Sequence, residues 1–128
     1  MVNLILTTIT SILAEIVVIV CGFILKKNSN CQINNWFGYR TSRSMSSREA
    51  WVFANKLCAK ILIYGGITAS IVSCAVILAL YFIFGAEVAI GASIIINCVV
   101  AVMCVIVIPY VESKLKKFLA KENNNDQN

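Results

Sequence analysis

Three apolar runs, residues 2–25, 61–84 and 88–111, constrain this chain more than any other feature. A hydrocarbon core of about 30 Å takes roughly 20 helical residues to cross, and each run is long enough. Lipid offers no hydrogen bonds, so a spanning segment must satisfy its backbone internally, as a helix does. The fold expected is therefore all-α, an integral membrane three-helix bundle. One membrane domain is expected over residues 1–122, with a connecting loop at 26–60 and a disordered polar tail at 123–128. The composition agrees: 59% hydrophobic and 13% charged residues lie well outside soluble averages. The first run begins without Lys or Arg and closes on Lys26-Lys27, which reads as a retained helix rather than a cleaved signal.

The net charge of +5 raises nucleic acid as a partner, but no motif for it is present. The basic residues instead flank the apolar runs, which points to membrane lipid as the partner. Lys26, Lys27, Arg40, Arg43, Arg48, Lys56 and Lys60 lie in the first connection, and Lys114, Lys116, Lys117 and Lys121 follow the third run. The opposite side carries only Glu87 and the amino terminus. The positive-inside rule then predicts a multi-pass protein of the cell membrane with a cytoplasmic loop and C-terminus, and the N-terminus outside.

Within the first run, Thr8, Ser11, Glu15 and Gly22 recur on one helical face. A mid-span carboxylate is costly and usually faces a protein interior or a water-filled cavity. Glu15 is thus either a ligand or proton site, or a neutral, hydrogen-bonded packing residue. Asn97 lies at similar depth in the third run, and a Glu15–Asn97 hydrogen bond, with Ser70 or Ser73 nearby, is expected from depth alone. In the second run Gly65, Ala69 and Ser73, and likewise Gly66, Ser70 and Cys74, form small-residue stripes that let helices approach closely. A hinge at Gly85-Ala86-Glu87 leads to the third run. Beyond Pro109, Glu112 to Lys121 reads as a basic, amphipathic, surface-lying extension.

The loop holds the residues least replaceable by generic hydrophobics. Trp36, Phe37 and Tyr39 suit a membrane interface, and Gly38 lets the backbone turn among them. Ser46-Ser47-Arg48-Glu49 fits a capping box, with Ser46 as cap and Glu49 reaching back. A short amphipathic helix bearing Trp51, Ala54 and Cys58 on one face should lead into the second span. Arg40, Arg43 and Arg48 beside that helix start suggest an anion-recognition point, with Arg40 next to Gly38 the strongest candidate. Trp51 and Asn55, four residues apart, could face the same point; interfacial anchoring and helix packing are the plainer readings.

Chemistry has little to work with. There is no histidine, no nucleophile motif and no clustered pair of acids, so no enzyme, cofactor or metal is expected. Six cysteines form no C-x-x-C pair, four of them lie in apolar runs, and packing accounts for all six.

The run N-x-W-F-G-Y-R-T-x-R-x-M-S-S-x-E-x-W-x-x-A-N-K, followed by Gly65-Gly66 in an apolar span, resembles the SdpI-type bacterial immunity family. Asn34 or Asn35, Gly38, Arg40, Thr41, Ser46, Glu49, Trp51, Asn55 and Lys56 carry the resemblance. It implies a membrane protein that protects a Gram-positive cell from a secreted antimicrobial peptide. Protection by binding rather than catalysis is the expectation, with direct binding of the toxin left open. It also implies, from the best-known member, a signalling role toward a cytoplasmic repressor. The chain departs from the pattern in having three spans where longer members have more, Ser42 where many have proline, and Asn55 where many have histidine. The alternatives weighed are a small proton-coupled transporter using Glu15 and a regulatory membrane partner of a soluble protein. Oligomeric state and the identity of the toxin stay open.

Overall fold

The computed structural model describes residues 2–33 and 36–125, with the side chains of 2–4, 123 and 125 left aside. Three helices make up the fold: α1 (Val2–Asn28), α2 (Arg48–Phe84) and α3 (Ala86–Asn125), with no strand among the described residues. Each is long and apolar enough to cross a membrane, and each packs against both others.

The bilayer as solvent explains the distribution of side chains. Leu13, Val17, Phe82, Ile95 and Val102 are exposed along the spans, where lipid tails rather than water would meet them. Helix contact relies instead on glycine. A Cβ on Gly22 of α1 would lie 2.7 Å from Ile63 Cγ1 of α2, and one on Gly66 of α2 would lie 2.5 Å from Ile19 Cγ1 of α1. The two glycines form a reciprocal pair of notches, each receiving an isoleucine of the other helix. Ser11, Glu15 and Gly22 are buried, so that predicted face is indeed the one turned inward.

Four boundaries differ from those expected. The amphipathic segment before the second span is no separate helix: α2 runs unbroken for 37 residues, about 55 Å at 1.5 Å per residue. The hinge shrinks to Gly85, whose φ of +91° ends α2 with its N–H on the Tyr81 carbonyl; Ala86 already begins α3. The stretch after Pro109 does not lie on a surface but continues α3 against α2. Val111 and Leu115 are fully buried, and Phe118 stacks on Phe53 with ring centroids 4.4 Å apart. Helicity extends to Asn125, past the start of the expected polar tail, whose last residues 126–128 lie outside the described ones.

Both long helices therefore outrun the hydrocarbon core at the basic end. There Tyr39, Ala50, Ala54, Cys58, Val107, Val111 and Leu115 form a buried cluster. The chain builds its best-shielded core at this end.

Candidate functional site

The loop between α1 and α2 is clasped onto this core by polar contacts. Ser47 caps α2, accepting the Ala50 N–H at 3.0 Å from an extended backbone. The cap expected at Ser46 is thus one residue early. Ser46 instead donates its hydroxyl to the Arg43 carbonyl at 2.7 Å. The shift puts Glu49 at the second helical position, where it still favours the positive helix end but no longer completes a capping box.

Gly38 sits over Trp51 with φ +135°, and a Cβ there would fall 2.5 Å from the indole and 2.9 Å from Asn55 Oδ1. Only glycine fits, because both the conformation and the space forbid a side chain. Trp51 is fully buried beneath it, which overrides the interfacial-anchor reading, and its indole N–H meets no protein acceptor. Asn55, also fully buried, accepts the Tyr39 N–H at 2.7 Å and donates to the Trp51 carbonyl at 2.9 Å. Trp51 and Asn55 do share one site, and they serve there to hold the loop backbone.

From this anchor the loop reaches α3. Tyr39 donates its hydroxyl to the Ile108 carbonyl at 2.9 Å, with Glu112 Oε2 at 3.5 Å. Thr41 donates to Glu112 Oε2 at 3.1 Å, and Arg43 pairs with Glu112 Oε1 at 2.8 Å. Buried Ser44 ties the turn together: its hydroxyl donates to the Tyr39 carbonyl at 2.7 Å and accepts the Thr41 N–H at 2.8 Å. Burial, then the charges of Glu112 and Cys58 and a hydrogen bond to Glu112, push the Tyr39 hydroxyl up to about 12.

Arg43 is therefore spent on Glu112, while Arg40 and Arg48 remain exposed. The Ser46 hydroxyl, expected with Arg40 at the anion-recognition point, is engaged by the Arg43 carbonyl. Lys56 is exposed on α2, as are Trp36 and Phe37 in the loop. Asn34, expected in the recognition loop, lies outside the described residues. Glu112 and Ser44 were not anticipated as site residues. The signal for Glu112 was its place as an acid in an otherwise basic segment after the third span.

A second polar centre lies inside the spans. Glu15, fully buried on α1, is hydrogen-bonded to Ser73 of α2, whose hydroxyl also reaches the Ala69 carbonyl at 2.7 Å. Asn97 of α3 does not bond Glu15; its amide donates to Ser11 one helical turn away, at 2.9 Å. This arrangement leaves Glu15 Oε2 and Asn97 Oδ1 both buried without a protein donor. The centre thus joins all three helices through two separate hydrogen bonds.

Comparison with known proteins locates this architecture. A segment of 49 residues is 39% identical to the uncharacterized protein YfhL of Bacillus subtilis (strain 168), covering 38% of this chain and 44% of that protein. No solved structure matches. The sequence profile of the SdpI/YfhL protein family matches residues 30–111, which take in the clasped loop, α2 and most of α3. The chain belongs to the SdpI/YfhL protein family.

Proposed function

We propose that this protein is a membrane immunity protein, protecting its cell from a secreted antimicrobial peptide by binding rather than by catalysis. Family membership supports the reading, and one observation carries it furthest. The residues of the family-like motif form a folded platform on α2 and α3 instead of a slack connection. On this platform Arg40 is a cation with an exposed side chain beside the immobilised Gly38–Tyr39 backbone, available to a carboxylate or another anionic group. The loop and C-terminus are read as cytoplasmic, the side that the distribution of Lys and Arg favours. A signalling role is read on the same surface, with the platform docking a cytoplasmic regulator.

The test is survival of a sensitive Gram-positive strain expressing the protein, challenged with membrane-active peptides. Wild type should protect against at least one peptide, and an equally inserted Arg40→Ala protein should not. Full protection by Arg40→Ala would remove the platform from the mechanism. A second reading, proton-coupled transport, is favoured by the buried carboxyl of Glu15. Proton-dependent substrate uptake into vesicles, lost in Glu15→Gln, would establish it instead.

A further inference from the structure

At the basic end of the bundle, on α1 and α2 and away from the Arg43–Glu112 pair, lies a cleft of about 390 Å³. Lys26, Lys56 and Lys60 line it together with Ser29 and Asn30, and no acidic residue contributes to its wall. Lys56 and Lys60 stand four apart on α2, so their ammonium groups occupy neighbouring positions on one helix face and repel each other. Lys26 adds a third positive charge from α1. None of the three makes an ion pair among the described residues, where the ion pair formed is Arg43–Glu112. The carbonyl end of α1 nearby amounts to about half a negative charge, too little to neutralise three lysines.

We propose that this cleft binds the phosphate of an anionic phospholipid. Depth supports it: Lys26 follows the end of the first apolar run and Lys60 precedes the second, so the lysines stand at headgroup level. The wall below the lysines argues for a lipid rather than free phosphate. Ile63 and Tyr64 form the rest of the lining, and the phenol of Tyr64, 63% exposed, suits the interface. From Tyr64 the exposed side chains Ile67 and Ile71 continue down α2 at spacings of three and four. That row gives an acyl chain an apolar track leading directly from the phosphate, a feature that a free anion has no use for. The hydroxyl of Ser29 is occupied by the Lys26 carbonyl at 2.8 Å, so recognition falls to the lysines and the Asn30 side chain.

The experiment is native mass spectrometry of the full chain released from detergent with phosphatidylglycerol, phosphatidylcholine or inorganic phosphate added. Wild type should retain phosphatidylglycerol over phosphatidylcholine by roughly tenfold or more, the scale expected of several lysines near an anionic headgroup. A Lys56→Gln/Lys60→Gln protein should lose that preference. A Lys116→Gln/Lys117→Gln protein, with the same change in net charge on α3, should keep it. All four substituted lysines are exposed, and circular dichroism verifies that each protein remains helical. Equal retention of both lipids by wild type would overturn the proposal, as would equal loss in the two variants. Inorganic phosphate displacing phosphatidylglycerol from wild type would overturn the assignment to a lipid.

Discussion

The Ser73 hydroxyl has one hydrogen and two neighbours, the Ala69 carbonyl and a Glu15 oxygen. A carbonyl can only accept, so an ionised Glu15 would have to share that one hydrogen with Ala69, whereas a neutral acid donating to Ser73 gives each contact a hydrogen of its own. Infrared spectroscopy of the protein in lipid should then show a carboxylic acid carbonyl band that disappears in Glu15→Gln. Its absence from wild type at neutral pH would mean an ionised carboxylate and a single bond from Ser73. Tyr39 gives a second prediction outside the spans. Its hydroxyl is raised from 10.0 to about 12, chiefly by burial and next by the charge of Glu112. The folded protein thus holds the phenolic proton more tightly than the unfolded chain does. The resulting stability is complete below pH 10.0 and drains away as pH rises toward about 12. Measured against Tyr39→Phe, wild type should lose relative stability across that interval; a constant difference would mean an unshifted phenol.

At the scale of elements, adjacent glycines on α2 separate two roles that sequence spacing treats alike. Gly66 receives Ile19, whereas a Cβ on Gly65 would meet nothing within 4 Å. Gly66→Ala should therefore cost about 1–3 kcal/mol by forcing α1 and α2 apart. Gly65→Ala should be neutral or stabilising by about 0.5–1 kcal/mol, since alanine is the better helix former. Unfolding in detergent distinguishes them, and equal effects would remove the notch. This pair shows what the sequence could and could not convey. The apolar runs, the buried Glu15 face and the special position of Gly38 were legible, because length, period and conformational freedom are local properties. Which glycine touches a neighbour, which serine caps α2 and which hydroxyl Asn97 reaches depend on the rotation of one helix about another. Glu112 was hidden for the same reason. It lies 69 residues from its partner Arg43, and the pair forms only because α3 continues rigidly past the bilayer.

For the whole molecule, that continuation makes the basic end one body in which loop, α2 and α3 share a core. Glu112 is the junction, accepting from Thr41 and Arg43 together. Glu112→Ala should cost about 1–2 kcal/mol, because it takes the acceptor from part-buried Thr41 as well as from Arg43, whereas Arg43→Ala should cost under about 1 kcal/mol, because that ion pair is half exposed. The same body carries the charge from which a crossing direction is predicted. Every Lys and Arg lies at this end or on the tail, and the opposite end offers only the amino terminus and Glu87 near the α2–α3 turn. Moving the basic end across a bilayer would carry eleven cations with it, so insertion should leave it inside. Cys31 is an exposed thiol in the loop and reports on this directly. With the other cysteines replaced, Cys31 should resist a membrane-impermeant maleimide in intact cells and react once they are permeabilised. Glu87→Cys in a background also lacking Cys31 should show the reverse. Labelling of Cys31 from outside would invert the topology and put the Arg40 platform in direct reach of a secreted peptide, which would then need no entry into the bilayer to be bound.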